Sequence, residues 1–143
     1  MPSDATFKRA NSLHRFVRDL TGGRLGWKGA GMPVIELTTT GAKSGLPRTV
    51  LLTSPRQEGD TIIVVASRGG TDQNPDWYHN ILKTPAVQVA QKGKPAAPMV
   101  ARVADAEERA RLWPLITADH DNYAGYQKKT AREIPVVLLS PTA

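Results

Sequence analysis

The sequence contains no cysteine, which excludes disulfides, thiolate metal sites and a cysteine nucleophile. Histidine is almost as scarce. His14, His79 and His120 are scattered, without the close helical pair that a zinc site requires. No metal centre is expected. No apolar run approaches the ~20 residues of a membrane span, and charges break the N-terminal segment where a signal peptide would carry its apolar core. These absences describe a cytoplasmic protein. Aromatics make up only 6% of the 143 residues, and none falls in a segment read below as a strand. A barrel that stacks bases would display aromatics on a strand face, so nucleic acid is not an expected partner.

What is present in excess is positive charge. Nineteen basic against 13 acidic residues give a formal +6. Such a field concentrates anions: nucleic acid, acidic lipid, or a phosphorylated and carboxylated small molecule. The remaining composition, 40% hydrophobic and 22% charged, is that of a globular chain long enough for one core.

Residues 4–20 read as a helix, with Phe7, Ala10, Leu13, Phe16, Val17 and Leu20 at helical spacing and Asp4 as a cap. Lys8, Arg9, Arg15 and Arg18 make its other face basic. A face of this kind is ordinarily solvated, but it also suits an acidic membrane surface or a lid. Gly26 to Gly31 reads as a flexible joint, so the chain divides into a helix and linker over 1–32 and a main domain over 33–143. Within that domain six segments carry strand character: 34–40, 48–54, 61–66, 86–91, 97–103 and 134–140. Arg56 to Asp60 reads as a turn. Short helices are expected over 75–83 and 122–131. Another starts at the capping box of Asp105 and Glu108, to be kinked or ended by Pro114. Strands in hairpin order with helices inserted late describe a mainly β, α+β architecture, an antiparallel sheet or small barrel.

Two loops hold the residues suited to chemistry. Between the first two strands, G-A-K-S-G-L-P (41–47) brings Lys43 and Ser44, with Arg48 just beyond, onto one short arc. Cations, a hydroxyl and exposed N–H groups are what a phosphate needs. A solvated loop with surface charges would look the same. The second stretch, S-R-G-G-T-D-Q-N-P-D-W-Y-H-N (67–80), empties a strand through Gly69-Gly70 into a helix start at Asn74-Pro75-Asp76, with Asn74 as N-cap. A plain connection carrying two core aromatics is the competing reading.

Read together, L-T-T-T-G-A-K-S-G-L-P-R (37–48), A-S-R-G-G (66–70) through N-P-D-W-Y-H-N (74–80), and the tail blocks W-P (113–114), Y-A-G-Y-Q (123–127) and R-E-I-P-V-V (132–137) resemble the deazaflavin-dependent nitroreductase family of flavin/deazaflavin oxidoreductases. The resemblance implies a split β-barrel and the deazaflavin coenzyme F420, whose tail carries a phosphate and glutamates. It carries the tail contacts over to Lys43, Ser44, Gly45 and Arg48, and places Thr49 among the coenzyme-binding residues. The ring contacts fall on Ser67, Arg68, Gly69 and Gly70, with Asn74, Pro75, Trp77, Tyr78 and Asn80 completing the coenzyme set. Arg68 departs from the commoner Lys, which keeps the charge and changes the donor geometry. Trp77 reads as a structural wall.

The implied reaction is hydride transfer from the reduced coenzyme to an electron-poor acceptor: a quinone, a nitroaromatic or an enone. The coenzyme carries the chemistry and the protein orients it, which agrees with the absence of a Ser-His-Asp set or a carboxylate pair. Ser67, Tyr123 and Tyr126 become candidate hydrogen-bond or proton donors to the acceptor. Packing is an equal alternative for both tyrosines. The nearest rival is an FMN-binding oxidase of the pyridoxamine-phosphate kind, which shares fold and phosphate logic. The basic helix over 4–20 would allow peripheral contact with the inner face of a membrane.

Overall fold

The computed structural model describes residues 28–29 and 32–142; the helix expected over 4–20 lies outside them. Eight strands and three helices follow in order: β1 (Lys28–Gly29), β2 (Met32–Thr40), β3 (Pro47–Thr53), β4 (Arg56–Glu58), β5 (Thr61–Val65), α1 (Asp76–Lys83), β6 (Ala86–Gln91), β7 (Ala97–Val103), α2 (Ala106–Asp119), α3 (Asn122–Lys128) and β8 (Val136–Pro141). All pairings are antiparallel, in the order β3-β2-β6-β7-β8-β5-β4, with β1 on the start of β2. The sheet curls into a half-barrel, in agreement with the split-barrel expectation.

The apolar patterns explain the layering. β5 (T-I-I-V-V) and β8 (V-V-L-L-S-P) are continuous apolar runs because the sheet is covered on both faces there. Ile62, Val64, Val137 and Leu139 point into one cluster with Leu37, Val89, Trp77 and Ile81. Their neighbours Ile63, Val65, Val136 and Leu138 point the other way, onto Leu112, Ile116 and Tyr123 of α2 and α3. β6 (A-V-Q-V-A-Q) buries only Val87 and Val89 and leaves Gln88 exposed, the alternation of a strand covered on one side. Each fully buried Val, Leu or Ile contributes about 1.5–3 kcal/mol, so β5 and β8 anchor both layers.

Four local expectations differ from the structure. Residues 56–58 are a strand: they pair with Thr61–Ile63 across Gly59, whose φ of 60° suits glycine. Three polar residues have no apolar period, so only the pairing reveals them. Arg56 and Arg111 both bond Glu58 there and hold its carboxyl down to about 2. Lys28–Gly29, read as part of the joint, pairs with Met32–Pro33.

Asn74 does not cap α1. Pro75 occupies the N-cap position without a side-chain bond, and Asn74 Oδ1 accepts from the Arg132 guanidinium at 2.6 Å. Pro114 neither ends nor interrupts α2, which runs to Asp119. It is exposed, as is Ala110, so the carbonyl deprived of its N–H partner can face water. The capping box forms as expected, with Glu108 N–H on Asp105 Oδ1 at 2.8 Å and Asp105 N–H on Glu108 Oε1 at 3.1 Å.

Candidate functional site

The β2–β3 loop is built mostly from its own residues. Gly41 N–H donates to the Leu46 carbonyl at 2.8 Å, and Gly45 N–H to the Gly41 carbonyl at 2.9 Å. Ser44 Oγ accepts from Leu46 N–H at 3.1 Å and from the Arg48 guanidinium at 3.4 Å. Helix α1 then braces it. Asn80, buried, accepts Ala42 N–H through Oδ1 at 2.8 Å and donates to Thr39 Oγ1 at 2.9 Å. Lys83, one helical turn on, donates to the Ala42 carbonyl at 2.7 Å.

Between loop and helix lies an open cleft of about 400 Å³, lined among others by Lys43, Ser44, Arg48, Asp76, His79 and Asn80. Lys43 and Ser44 are exposed, and neither Lys43 nor Arg48 has an ion-pair partner among the described residues. Two cations and a hydroxyl, held on a rigid arc and not neutralised locally, attract an anion. Asp76 on the opposite wall opposes it. Thr49, on β3, is bonded to Thr38 at 2.8 Å across the strand pair.

The second loop leaves β5 at Ala66, whose N–H bonds the Pro135 carbonyl at 2.9 Å. Ser67 has right-handed helical angles (φ −78°, ψ −36°), while Arg68, Gly69 and Gly70 have φ of 45°, 65° and 83°. Arg68 is the one described non-glycine residue with positive φ, a conformation that costs about 1–3 kcal/mol and persists only where the surroundings impose it. Gly70 could carry no side chain: a Cβ there would lie 2.7 Å from the Tyr126 carbonyl oxygen. A right-handed residue followed by a left-handed one turns successive N–H groups toward one concavity. The N–H groups of Arg68 and Gly69 and the Ser67 hydroxyl find no acceptor or donor among the described residues.

The structure separates the two candidate tyrosines. Tyr123 is 4% exposed, and its hydroxyl lies 3.0 Å from Thr53 Oγ1 and donates to Met32 Sδ at 3.6 Å. Burial pushes its phenol above the ordinary value. Tyr126 is half-buried, meets Tyr123 edge to face at 5.9 Å, and has no hydrogen bond to its hydroxyl among the described residues. Its backbone is what Gly70 packs against. Tyr126 thus belongs with Ser67, Arg68, Gly69 and Gly70, whereas Tyr123 is turned into the core behind them. Trp77 is buried in the first core cluster and Tyr78 packs on the same cluster from its edge.

Helix α1 connects the two loops. Asn74 and Pro75 lead into it from the second loop; Asp76, His79, Asn80 and Lys83 present the first loop with its far wall. Asp76 and His79 were not anticipated as lining residues, nor Lys83 as a tether. Their spacing of three and four residues on an assigned helix is the signal that would have found them. Sequence reasoning places Arg132 only within a tail block, because its guanidinium bonds residues 58 to 66 positions away.

Comparison with known proteins identifies the family. The family model of the F420H(2)-dependent quinone reductases matches residues 10–141. An F420H(2)-dependent quinone reductase of Mycobacterium tuberculosis is 40% identical over 134 residues, spanning 90% of this chain and 87% of that protein. A solved F420-H2 dependent reductase superposes with a TM-score of 0.66 at 40% identity, over 76% of this chain and 94% of the other. A domain-swapped dimer gives 0.67 at 35% identity, over 98% and 100%. A member of the pyridoxine-phosphate oxidase family from Clostridium acetobutylicum, at 10% identity and TM-score 0.53 over 76% and 74%, shares the fold alone. With its match running through both loops, helix α1 and the closing strand, this chain belongs to the F420H(2)-dependent quinone reductase family.

Proposed function

We propose that the protein binds reduced coenzyme F420 across helix α1 and reduces a quinone or a similar electron-poor acceptor. The observation that carries the reading is the pairing of a cleft whose two cations form no ion pair among the described residues, at one side of α1, with a glycine turn bearing free donors before its start. That donor set fits F420. Lys43, Ser44 and Arg48 offer charge-assisted bonds to a phosphate and carboxylates, and the N–H groups of Arg68 and Gly69 offer neutral donors to ring carbonyls. Gly45 keeps the first loop open through its φ of 74°, and Thr49 continues the arc along β3. When bound, the reduced coenzyme supplies a hydride to the acceptor.

The chain's own groups then orient, exclude water and manage a proton. Hydride addition to a quinone leaves an oxyanion, which a nearby O–H can stabilise or protonate. Tyr126 and Ser67 are the proposed donors, since their hydroxyls are not engaged within the described residues. Tyr123 supports Tyr126 through its edge contact. Asn74, Pro75, Trp77 and Tyr78 shape the wall of the ring site, and Asn80 holds the tail loop rather than touching the coenzyme. The basic residues Lys8, Arg9, Arg15 and Arg18 would bring the enzyme near membrane-dissolved acceptors.

Titration of the purified protein with F420 and, separately, FMN, followed by tryptophan quenching, tests the reading. Tight F420 binding with weak FMN binding is expected; the reverse preference moves the chain to flavin chemistry. Tyr126→Phe and Ser67→Ala are expected to lower quinone turnover about tenfold or more with F420 affinity little changed. Full activity in both variants removes them as donors.

A further inference from the structure

We infer that Arg132 is a positioning residue that imposes the strained ring-side turn, so that the donors of Ser67, Arg68 and Gly69 exist as a preformed site because of one side chain more than sixty positions away. The inference rests on the proposed coenzyme site and extends it to its support. Arg132 follows α3 in a turn before β8. Its guanidinium donates four hydrogen bonds to this one loop: Nη1 to the Ala66 carbonyl at 3.3 Å and to Asn74 Oδ1 at 2.6 Å, Nη2 to the Ser67 carbonyl at 2.8 Å, and Nε to the Thr71 carbonyl at 2.9 Å.

The acceptors bracket the left-handed run. Ala66 and Ser67 lie on its entry side, Thr71 and Asn74 on its exit side. A planar fork with fixed donor directions can set the relative orientation of those carbonyls, and a single ammonium cannot. The turn's own backbone bonds are two, Gly70 N–H to the Ser67 carbonyl at 2.9 Å and Thr71 N–H to the Arg68 carbonyl at 3.3 Å, with exposed side-chain bonds from Arg68 Nη1 to Thr71 Oγ1 at 3.3 Å and from Thr71 Oγ1 to the Gln73 carbonyl at 3.1 Å. Two backbone bonds and two solvent-exposed side-chain bonds would hardly hold a non-glycine residue at φ 45° unaided. Thr130 adds a lesser strut, bonding Asp72 at 2.8 Å.

Among the described residues Arg132 makes no ion pair. Its charge faces backbone oxygens and an amide, so all four contacts point to geometry. Such bonds from a charged group are stronger than those between neutral partners. The same carbonyls would otherwise be free to turn, and with them the N–H groups on the opposite sides of the shared peptide planes.

The experiment compares Arg132→Lys, which keeps the charge and most of the stem, with Arg132→Ala and the wild type. Amide exchange of Gly70 and Thr71 is read without any coenzyme, and circular dichroism confirms that each variant is folded. Affinity is then measured for F420 and for 8-hydroxy-5-deazariboflavin, which has the ring but neither phosphate nor glutamates. We expect exchange at Gly70 and Thr71 to accelerate about tenfold or more in Arg132→Lys, the effect of one to two lost charged bonds. Affinity for the tail-less ring should fall by a similar factor, and added guanidinium should restore part of it in Arg132→Ala. Should Arg132→Ala fail to fold, Arg132→Lys decides alone. Wild-type exchange rates in folded Arg132→Lys overturn the inference, as does a loss of F420 affinity without loss of ring affinity. Failure of the wild type to bind F420 at all would count against the proposed coenzyme, while the exchange measurement still decides the role of Arg132.

Discussion

The two site loops are both glycine-bearing connections leaving β-strands, yet they are made rigid in opposite ways. The loop over 41–46 closes on itself: its bonds link Gly41 to Leu46, Gly45 to Gly41, and Ser44 to Leu46 and Arg48, all within five positions. Helix α1 adds Asn80 and Lys83 as fasteners. The loop over 66–74 also bonds locally, through Gly70 and Thr71 N–H and the Arg68 and Thr71 side chains, but it has a strained run at its centre and is held chiefly by Arg132, with Tyr126 and Thr130, from far along the chain. A locally closed loop tolerates change elsewhere. A remotely braced one transmits damage from the tail directly to its donors, which suits a site where backbone N–H groups must be aimed.

Substitutions can break this contrast in order of effect. Gly70→Ala should act most strongly, because the new Cβ meets the Tyr126 carbonyl at 2.7 Å and the residue sits at φ 83°. A loss of about 1–3 kcal/mol in unfolding free energy is expected, seen by chemical denaturation, together with loss of ring affinity. Unchanged stability would show that the second loop is less constrained than its contacts imply. Next, Lys43→Ala with Arg48→Ala should weaken F420 about tenfold to hundredfold at low salt, less at high salt, and leave the tail-less ring unaffected. Equal losses for both ligands would merge the two subsites into one.

The smallest change is expected from Asp76→Asn, which removes the carboxylate opposing the cleft's cations. F420 affinity should rise about twofold to threefold at low salt, the scale of an exposed charge interaction, without altering ring affinity. Weakened F420 binding would mean that Asp76 organises the cleft instead of opposing it.

The contrast also explains what could be read in advance. Six of the strands were legible because apolar alternation or continuous β-branched runs reveal burial directly, as in β5, β6 and β8. β4 was not, since its three polar residues become a strand only by pairing with Thr61–Ile63. Asn74 looked like a helix cap by type and position; the guanidinium of Arg132 claims its oxygen instead. Tyr123 and Tyr126 were indistinguishable on one helical face. Core packing against Thr53 and Met32 turns the first inward, and only the second stays beside the loop.

The sequence by itself determined the mainly antiparallel architecture, the anion-seeking charge and the first loop, including its Lys43, Ser44 and Arg48. These depend on periodicity, composition and bonds between residues a few positions apart, which a linear reading contains. The tertiary structure alone decided that the second loop adopts three successive left-handed residues, that the Arg132 side chain bonds both of their flanks, and that α1 runs between the two loops. Those features depend on contacts spanning from about 40 to more than 60 positions, and nothing local in the chain encodes a partner at that range.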